Sequence, residues 1–334
     1  MTGVTLPLIS AVIPTRGRAD LVARAVRSAL SQTYANVEVV VVVDGPDPAT
    51  VETLETLREP RLRVITLVEN VGGSEARNIG VRGARGSWIA LLDDDDQWLP
   101  DKLARQMALV ADTTALHCLV TCRRLERQPG QPDILAPRRT RRPGEDVSEY
   151  MFYSGDNQRH TCGPQTSSFL GTRELFLDVP FSKGLKCHQD WDWYLRAMRN
   201  DTTVSAMVDE PLYIMYVESE RPRLTQIARW EYSLDWIESH RNLFTTRAYT
   251  SFLINECMFR CEQTSGRMRI FRKLMALCRT NATLRTKDLA AIVKWYLFRP
   301  SVRLRLRHSY KRLQVSPTDR LALETPPRKR EVHG

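Results

Sequence analysis

Short apolar runs alternate with amphipathic stretches through the first third of the chain. The apolar runs predict strands at residues 8–14, 37–43, 62–67 and 88–92. Between them, apolar residues recur at spacings of three and four, which predicts helices at residues 19–32, 49–58, 74–84 and 100–111. Strands that are apolar along their whole length indicate a parallel sheet covered by helices on both faces. The fold class predicted for this part is therefore α/β.

The remainder of the chain has a less regular pattern. It predicts strands at residues 115–124, 167–170, 204–208 and 212–217, with a helix at 190–199 before the last two. Residues 128–145 are rich in Pro, Gly and Arg and predict an exposed loop. Helical periodicity runs from 223 to 298. We therefore predict an α/β domain at 1–222, a helical C-terminal region at 223–315 and a disordered tail at 316–334.

Four consecutive carboxylates, Asp93 to Asp96, follow the fourth predicted strand. Adjacent negative charges repel one another, so their burial beside a sheet requires a cation or hydrogen-bond donors. If the strand stays extended, Asp93 and Asp95 lie on one side and Asp94 and Asp96 on the other. Paired carboxylates suit Mg²⁺ or Mn²⁺, which take a few protein oxygens together with substrate phosphates. The alternative is a solvated acidic turn before the helix that begins near Pro100.

Further candidate contacts lie where the other strands of a parallel sheet would bring their carboxyl ends together, at the edge where such sheets bind ligands. They are Pro14, Thr15, Arg16, Asp44 and Asn70, and Arg77 is added from the helix predicted to follow Asn70. Asp44 has the chemistry to accept hydrogen bonds from a base or ribose, and Arg77 to face a phosphate. No G-x-G-x-x-G follows the first strand, and no G-x-x-x-x-G-K-[ST] occurs. The pattern therefore favours a nucleoside diphosphate carried on a divalent cation over a dinucleotide or P-loop site.

Composition limits the class of protein further. The 334 residues are 42% hydrophobic and 26% charged, which is typical of a folded globular chain. No apolar run approaches a membrane span, and residues 1–7 lack the pattern of a signal peptide, so a cytoplasmic location is expected. The seven cysteines are expected to be free thiols within the core. The net charge of +10, with basic clusters at 138–142 and 299–312, predicts an anionic partner: nucleic acid, membrane or phosphorylated substrate.

Four segments, taken in order, resemble the family 2 glycosyltransferases. They are Val-Ile-Pro-Thr at 12–15, Val-Asp-Gly at 43–45, the Asn-Val-Gly-Gly segment at 70–80 and the acidic segment at 91–100. The resemblance covers residues 8–218 and implies the GT-A fold, a Rossmann-like, mostly parallel sheet flanked by helices. It also implies transfer of a sugar from a nucleotide donor, usually with inversion at the anomeric carbon. The ordered series is more specific than any single motif.

The resemblance assigns roles to the candidate residues by position. Asp44 becomes the acid that recognises the base, and Asp93 with Asp95 becomes the D-x-D pair, in which Asp95 binds the metal most directly. Asp94 contributes if the register slips by one residue. The nucleotide pocket would be lined by Pro14, Thr15, Arg16, Asn70 and Arg77.

A later acidic motif of the family resembles residues 188–196, and it makes Asp190 the general base. Gln189 replaces the usual Glu. The alternative for Asp190 is an ordinary N-cap or first-turn acid of a helix. Many members of the family have a basic or His-containing segment after the strand that corresponds to residues 212–217. This chain has Glu218 there, which would serve as a metal ligand, or Arg221 would bind the diphosphate.

The expected function is metal-dependent, inverting transfer of a sugar from a nucleoside-diphosphate donor to an acceptor hydroxyl in bacterial glycan synthesis. Family frequency favours a UDP-sugar, and the acceptor is a glycan, a lipid-linked or a small molecule, with no nucleic acid involved. Residues 287–312 have a composition suited either to an anionic membrane surface, on the inner face of the plasma membrane, or to a helix packed on the domain. The alternatives are a non-catalytic nucleotide-sugar-binding homologue and a sugar nucleotidyltransferase.

Overall fold

The computed structural model describes residues 6–153, 163–217, 230–258, 261 and 264–280. Nine strands within these residues form one sheet: β1 (Ile9–Thr15), β2 (Val37–Val43), β3 (Leu62–Thr66), β4 (Trp88–Leu91), β5 (Asp96–Trp98), β6 (His117–Arg127), β7 (Ile134–Ala136), β8 (Leu170–Thr172) and β9 (Thr203–Tyr216). The strand order is β3-β2-β1-β4-β8-β6-β9-β5, and β7 pairs with β6 off this path.

The first half of the sheet is parallel, as the apolar pattern predicted. β1 pairs in parallel with β2 and with β4, and β2 pairs in parallel with β3. Every residue of β1 and of β2 is buried, because side chains on both faces of a central strand lie under a helix. The carboxyl ends of β1, β2 and β4 therefore meet at one edge of the sheet.

The second half is mixed and departs from the predicted mostly parallel sheet. β8 runs antiparallel to β4 and to β6, β5 runs antiparallel to β9, and only β6 and β9 are parallel there. The two strands predicted at 204–208 and 212–217 are one strand, β9, which continues past shifts in its register with β6. The loop predicted at 128–145 contains the short strand β7, whose Ala136 is fully buried.

The strand predicted at residues 167–170 was wrong in its first half. Residues Thr166–Ser168 form a 3₁₀ turn, and β8 begins only at Leu170. The turn is closed by Ser168 N–H donating to Gln165 O at 2.8 Å, and the Ser168 hydroxyl donates to the same carbonyl at 2.6 Å. Short hydroxyl side chains compete with strand pairing through such local hydrogen bonds.

Seven helices accompany the described part of the sheet: α1 (Ala19–Leu30), α2 (Pro48–Glu55), α3 (Gly73–Gly83), α4 (Lys102–Ala108), α5 (Val147–Phe152), α6 (Arg173–Asp178) and α7 (Gln189–Met198). The start of α3 depends on Gly72, whose φ of +84° is open to glycine but strained for other residues. Asp47 caps α2 by accepting the N–H of Thr50, and Pro48 occupies the first turn. The predicted helices at 19–32, 49–58, 74–84 and 100–111 are thus confirmed, with ends displaced by a few residues.

The chain divides into two compact units, Met1–Ala228 with Ser239–Tyr249, and Arg229–Glu238 with Thr250–Gly334. Helix α8 (Trp230–Ser239) lies almost wholly in the second unit, α9 (Thr246–Phe252) spans the boundary at 249, and α10 (Thr264–Thr280) lies in the second unit. Residues Leu253–Cys257 form a π-helical segment. The proposed domain limit at 222, the membrane-surface segment at 287–312 and the tail at 316–334 lie outside the described residues.

Two further sequence predictions concern cysteines and membrane spans. The five cysteines in the described ranges are buried free thiols: Cys118, Cys122, Cys187, Cys257 and Cys261. Their predicted place in the core is confirmed for these five. Among the described helices, none has the length and apolar content needed to cross a membrane.

Helix α3 approaches the sheet closely through Gly80, and we predict that Gly80→Ala destabilises the protein. A methyl group there would collide with Val12 Cγ1 on β1 and lie 3.2 Å from Val42 Cγ2 on β2. Overpacking lowers the free energy of unfolding by about 1–3 kcal/mol. Alanine raises it by up to about 1 kcal/mol over glycine in a helix, so we expect a net loss of stability. The measurement is the urea midpoint of unfolding.

Gly83→Ala, at the end of the same helix, is the matched control for Gly80→Ala. Its methyl would meet Ile65 Cδ1 at 2.9 Å, the end of a side chain that can turn away. Equal unfolding midpoints for the two variants would contradict the close packing at Gly80.

Candidate active site at the carboxyl edge of the sheet

A cavity of about 440 Å³ opens where β1, β2 and β4 end, against the start of α7. Most of the residues selected from the sequence line it: Pro14, Thr15, Arg16, Asp44, Arg77, Asp93, Asp94, Asp95 and Asp190. Asn70 is not among the lining residues; its side chain accepts the N–H of Gly72 at 2.9 Å. Glu218 and Arg221 lie outside the described residues. The topology thus brings together the acidic turn and the later helix, which are almost 100 positions apart in the chain.

The four carboxylates lie on a turn rather than on an extended strand. β4 ends at Leu91, and Asp96 N–H donates to Asp93 O at 3.1 Å, which closes a four-residue turn before β5. The predicted alternation still holds: the side chains of Asp93 and Asp95 are 31% and 34% exposed, whereas Asp94 and Asp96 are buried. All four residues line the cavity; Asp93 and Asp95 are the more exposed pair, and Asp94 and Asp96 are the buried pair.

The buried carboxylates are held by hydrogen bonds from neighbouring elements. Thr15 Oγ1 donates to Asp94 at 2.7 Å, and Arg18 Nη1 donates to the other oxygen of Asp94 at 2.8 Å. Ser167 Oγ donates to Asp96 at 2.6 Å and accepts the N–H of Asp93 at 3.1 Å. Burial raises the pKa of Asp94 to about 6, although the charge of Arg18 opposes that shift.

Arg77 connects the acidic turn to helix α7. Its Nη2 lies 2.5 Å from Asp93 Oδ1, and its Nη1 donates to Gln189 Oε1 at 2.8 Å. A β-carbon at Gly73 would lie 3.2 Å from this guanidinium, so the glycine leaves room for it. Arg77, predicted to face the donor directly, is thus also the link that sets the distance between the acidic turn and the helix.

Gln189 stands where the resembling family usually has Glu, and its contacts explain the change. Its Oε1 accepts from the Arg77 guanidinium, which can only donate, while its Nε2 donates to Leu185 O at 2.6 Å. A carboxylate has no donor for that carbonyl, so glutamate would place two acceptors against each other. The amide therefore suits this particular loop before α7.

Asp44 faces the cavity but is also bound to the loop after β3. It is 5% exposed, and its two oxygens accept the N–H groups of Val71 at 2.7 Å and Gly72 at 3.0 Å. The carboxylate therefore fixes the turn that starts α3 and leads to Arg77. Each carboxylate oxygen has a second lone pair, so these bonds leave acceptor capacity toward the cavity.

Asp190 lies in the first turn of α7 and is half-buried in the cavity wall. Burial raises its pKa to about 6, and the negative charge of Asp93 acts in the same direction. The residue before the helix is His188, whose side chain makes no capping hydrogen bond, and Asp190 itself accepts the N–H of Trp191 at 3.0 Å. Asp190 is thus a first-turn acid, with the ionisation expected of a proton acceptor near neutral pH.

Sequence reasoning missed several residues that shape this site. Arg18 pairs with Asp94 and Asp95, and Arg24 Nη2 donates to Asp95 O at 2.7 Å. Asp192, two residues after Asp190 on α7, is fully buried and pairs with Arg196 at 2.8 Å and with His240 at 3.0 Å. The arginines in and just before the helix after β1 are visible in the sequence. Their partners lie about seventy residues further along the chain, so the sequence pattern did not reveal the pairing.

A cation would be attracted to this edge of the sheet, yet the protein supplies only part of a coordination shell. Within the described residues, no group of three or more His, Cys, Asp or Glu side chains is arranged to hold a metal ion. Asp93 and Asp95 offer hard oxygen donors to the cavity, and guanidinium groups already lie against both. This donor set fits Mg²⁺ or Mn²⁺ bound jointly with phosphate oxygens and water rather than an all-protein cage.

Residues 10–167 match the model of glycosyl transferase family 2. The succinoglycan biosynthesis protein ExoO of Rhizobium meliloti is 43% identical over 102 residues, which cover 30% of this chain and 29% of that protein. The putative colanic acid biosynthesis glycosyl transferase WcaA of Escherichia coli is 29% identical over 197 residues, covering 57% of this chain and 66% of that protein. The chain thus spans less than two thirds of each of these relatives.

Two solved structures share the fold. TarS 1-349 of S. aureus, in complex with UDP-GlcNAc, has a TM-score of 0.51 and 17% identity, covering 86% of this chain and 79% of that one. The mannosyltransferase PcManGT of Pyrobaculum calidifontis, in complex with GDP-Man and Mn²⁺, has a TM-score of 0.53 and 16% identity over the same shares. At these identities the likeness shows the fold alone, and it confirms the predicted GT-A class.

The two hydrogen bonds of Asp44 generate a prediction about the loop after β3. Asp44→Ala removes acceptors from two N–H groups, and an unsatisfied buried donor costs about 1–3 kcal/mol. Gly72 N–H keeps the Asn70 side chain as an acceptor, whereas no second acceptor is recorded for Val71 N–H within the described residues. We therefore expect hydrogen exchange to accelerate more at Val71 than at Gly72.

The control for this exchange experiment is Asp112→Ala at an exposed position outside the cavity lining. Unchanged exchange at Val71 in Asp44→Ala would show that Asp44 does not hold the loop.

Proposed function

We propose that the chain is a family 2 glycosyltransferase, which transfers a sugar from a nucleoside-diphosphate donor to an acceptor hydroxyl in bacterial polysaccharide synthesis. One observation carries the proposal: the acidic turn and Asp190 line the same cavity. A donor held by its diphosphate at the turn would place its sugar toward the start of α7. The names of ExoO and WcaA, both in polysaccharide biosynthesis, support the pathway class.

Donor recognition is assigned to the parallel half of the sheet. We propose that Asp44 accepts a hydrogen bond from the base while its other lone pairs hold the loop after β3. Pro14, Thr15 and Arg16 would line the nucleotide pocket. The two structural neighbours were solved with UDP-GlcNAc and with GDP-Man, so both bases belong in a donor screen, with UDP-sugars first.

Asp93 and Asp95 would hold the divalent ion together with the donor phosphates. When bound, such an ion stabilises negative charge that develops on the leaving diphosphate. Asp94 and Asp96 do not contact it in this proposal, because both are buried and hydrogen-bonded behind the turn. Their task is to keep the two exposed carboxylates at a constant spacing.

Asp190 would act as the general base in a single displacement. Its carboxylate takes the proton of the acceptor hydroxyl as that oxygen bonds to the anomeric carbon, and the bond from that carbon to the diphosphate oxygen breaks on the opposite face. A base with a pKa of about 6 is ionised at neutral pH and still a stronger base than an ordinary aspartate. The Arg77 bridge to Gln189 would hold this carboxylate at its distance from the donor.

The proposed roles of Asp190 and Asp95 predict different failures. Asp190→Asn should lower transfer by roughly 10²- to 10⁴-fold and leave Mn²⁺-dependent nucleotide binding near the wild-type value. Asp95→Ala should weaken that binding itself, because it removes a ligand oxygen. The measurements are sugar-nucleotide hydrolysis across UDP, GDP and dTDP donors, and nucleotide binding by calorimetry with and without Mn²⁺.

Asp112→Asn is the control, since it removes an exposed carboxylate that does not line the cavity. Full hydrolysis in Asp190→Asn would remove that residue from the mechanism. Nucleotide binding without hydrolysis of any donor by the wild-type chain would instead indicate a non-catalytic homologue.

The raised pKa of Asp190 predicts the pH dependence of the reaction. A pKa raised to about 6 means that the base is protonated, and so inactive, below that pH. We expect kcat/KM to be level above pH 7 and to fall about tenfold per pH unit below pH 6. Nucleotide binding measured over the same range separates this loss from a loss of donor affinity. Activity that continues unchanged to pH 4.5 would contradict the assignment.

A further inference from the structure

Arg18 lies against the acidic turn at the position where a cation is needed. It directly precedes α1, and its Nη1 lies 2.8 Å from Asp94 Oδ1 and 3.3 Å from Asp95 Oδ2. One guanidinium nitrogen thus joins a buried carboxylate to the carboxylate that we assign to the metal. The arginine side chain is 40% exposed, so ionic contacts rather than tight packing hold it there.

The two contacts of Arg18 differ in strength. Asp94 is buried, and it receives a short hydrogen bond from Arg18 in a place with little competing water. Asp95 is one third exposed, and its contact with Arg18 is longer. An exposed ion pair of that length is weak. The guanidinium is therefore anchored on Asp94 and can release Asp95.

A divalent ion and Arg18 compete for the same carboxylate. A metal–oxygen bond measures about 2.0–2.6 Å, so an ion on Asp95 would lie within a few ångströms of the arginine charge and be repelled by it. The ion can bind only if Arg18 moves off Asp95 or if an anion separates the two charges. The diphosphate of a donor is such an anion, and guanidinium groups bind phosphate oxygens well.

We propose that Arg18 is a built-in counter-ion of the acidic turn, which keeps a lone divalent ion off Asp95 and turns to the donor phosphates when ion and nucleotide arrive together. This inference rests on the proposed function of the cavity. It makes Arg18 a positioning residue that couples metal binding to donor binding. The cavity would then bind the metal–nucleotide complex in preference to free metal.

Other contacts of helix α1 hold the acidic turn in place when Arg18 moves off Asp95. Arg24 donates to the main-chain oxygen of Asp95 at 2.7 Å, and its guanidinium lies 4.0 Å from the centre of the Tyr216 ring. The bond from Arg24 is made to the backbone oxygen of Asp95 and not to its carboxylate. The turn therefore keeps its shape while Arg18 releases the side chain.

The test compares Mn²⁺ binding in four full-length proteins: wild type, Arg18→Gln, Arg18→Lys and Arg27→Gln. Free Mn²⁺ is measured by electron paramagnetic resonance, first with the metal alone and then with UDP or GDP present. We expect Arg18→Gln to bind Mn²⁺ alone roughly fivefold more tightly, the scale of one partly exposed ion pair. In saturating Mn²⁺, the same variant should bind the nucleotide roughly fivefold more weakly, because a phosphate contact is lost.

Arg27→Gln controls for net charge, because Arg27 is an exposed arginine of the same helix α1 and does not line the cavity. It should alter the affinity for Mn²⁺ alone less than twofold. Arg18→Lys keeps a cation beside Asp94 on a shorter side chain, so it should lie between wild type and Arg18→Gln. It decides the question if the glutamine variant does not fold, as judged by circular dichroism.

Opposite changes in the two affinities are the signature of the exchange. If Arg18→Gln and Arg18→Lys bind Mn²⁺ alone no more tightly than the wild type does, Arg18 is not a competing counter-ion and the inference is overturned. If the Mn²⁺ affinities change as expected but neither nucleotide binds any of the proteins, the proposed donor function fails while the competition on Asp95 stands.

Discussion

The structure depends on how four adjacent carboxylates are accommodated at the end of β4. Together they would repel one another, and a bare cluster beside the sheet would be costly. The turn separates them into a buried pair with hydroxyl and guanidinium donors and an exposed pair with an arginine against each member. The donors come from β1, from the residue before α1, from α3 and from the 3₁₀ turn before β8. The acidic turn is therefore held by side chains from both halves of the sheet.

The same contacts connect the acidic turn to the elements on either side of the cavity. Arg77 connects Asp93 to Gln189, and Gln189 immediately precedes Asp190. On the opposite side, Arg18 connects Asp95 to Asp94 and to the start of α1. The acidic turn is thus in contact with the first βα connection and, through Arg77, with the first turn of α7.

The apolar pattern predicted the strands of the first half of the sheet more accurately than those of the second half. Val37–Val43 was predicted to the residue because this central parallel strand is apolar at every position except Glu38. Residues 167–170 were misassigned because serine hydroxyls satisfy a local 3₁₀ turn that apolar periodicity does not reveal. The two strands predicted around residue 210 are one, since an irregular register lets β9 continue along β6. Edge strands and strands in mixed pairings have a weaker apolar pattern in the sequence than buried parallel strands have.

What the sequence determined by itself was the order of the βα units and the chemistry at the carboxyl ends of the strands, because apolar periodicity and local motifs are properties of neighbouring residues. It also distinguished Asp93 and Asp95 from Asp94 and Asp96, and these two are the more exposed carboxylates of the turn. Only the tertiary structure decided which cations neutralise them. The pairing of Arg18 with Asp94 and of Arg77 with Gln189 spans 76 and 112 residues. Such contacts arise from sheet topology, which places distant segments side by side at one edge, and no local pattern encodes the partner.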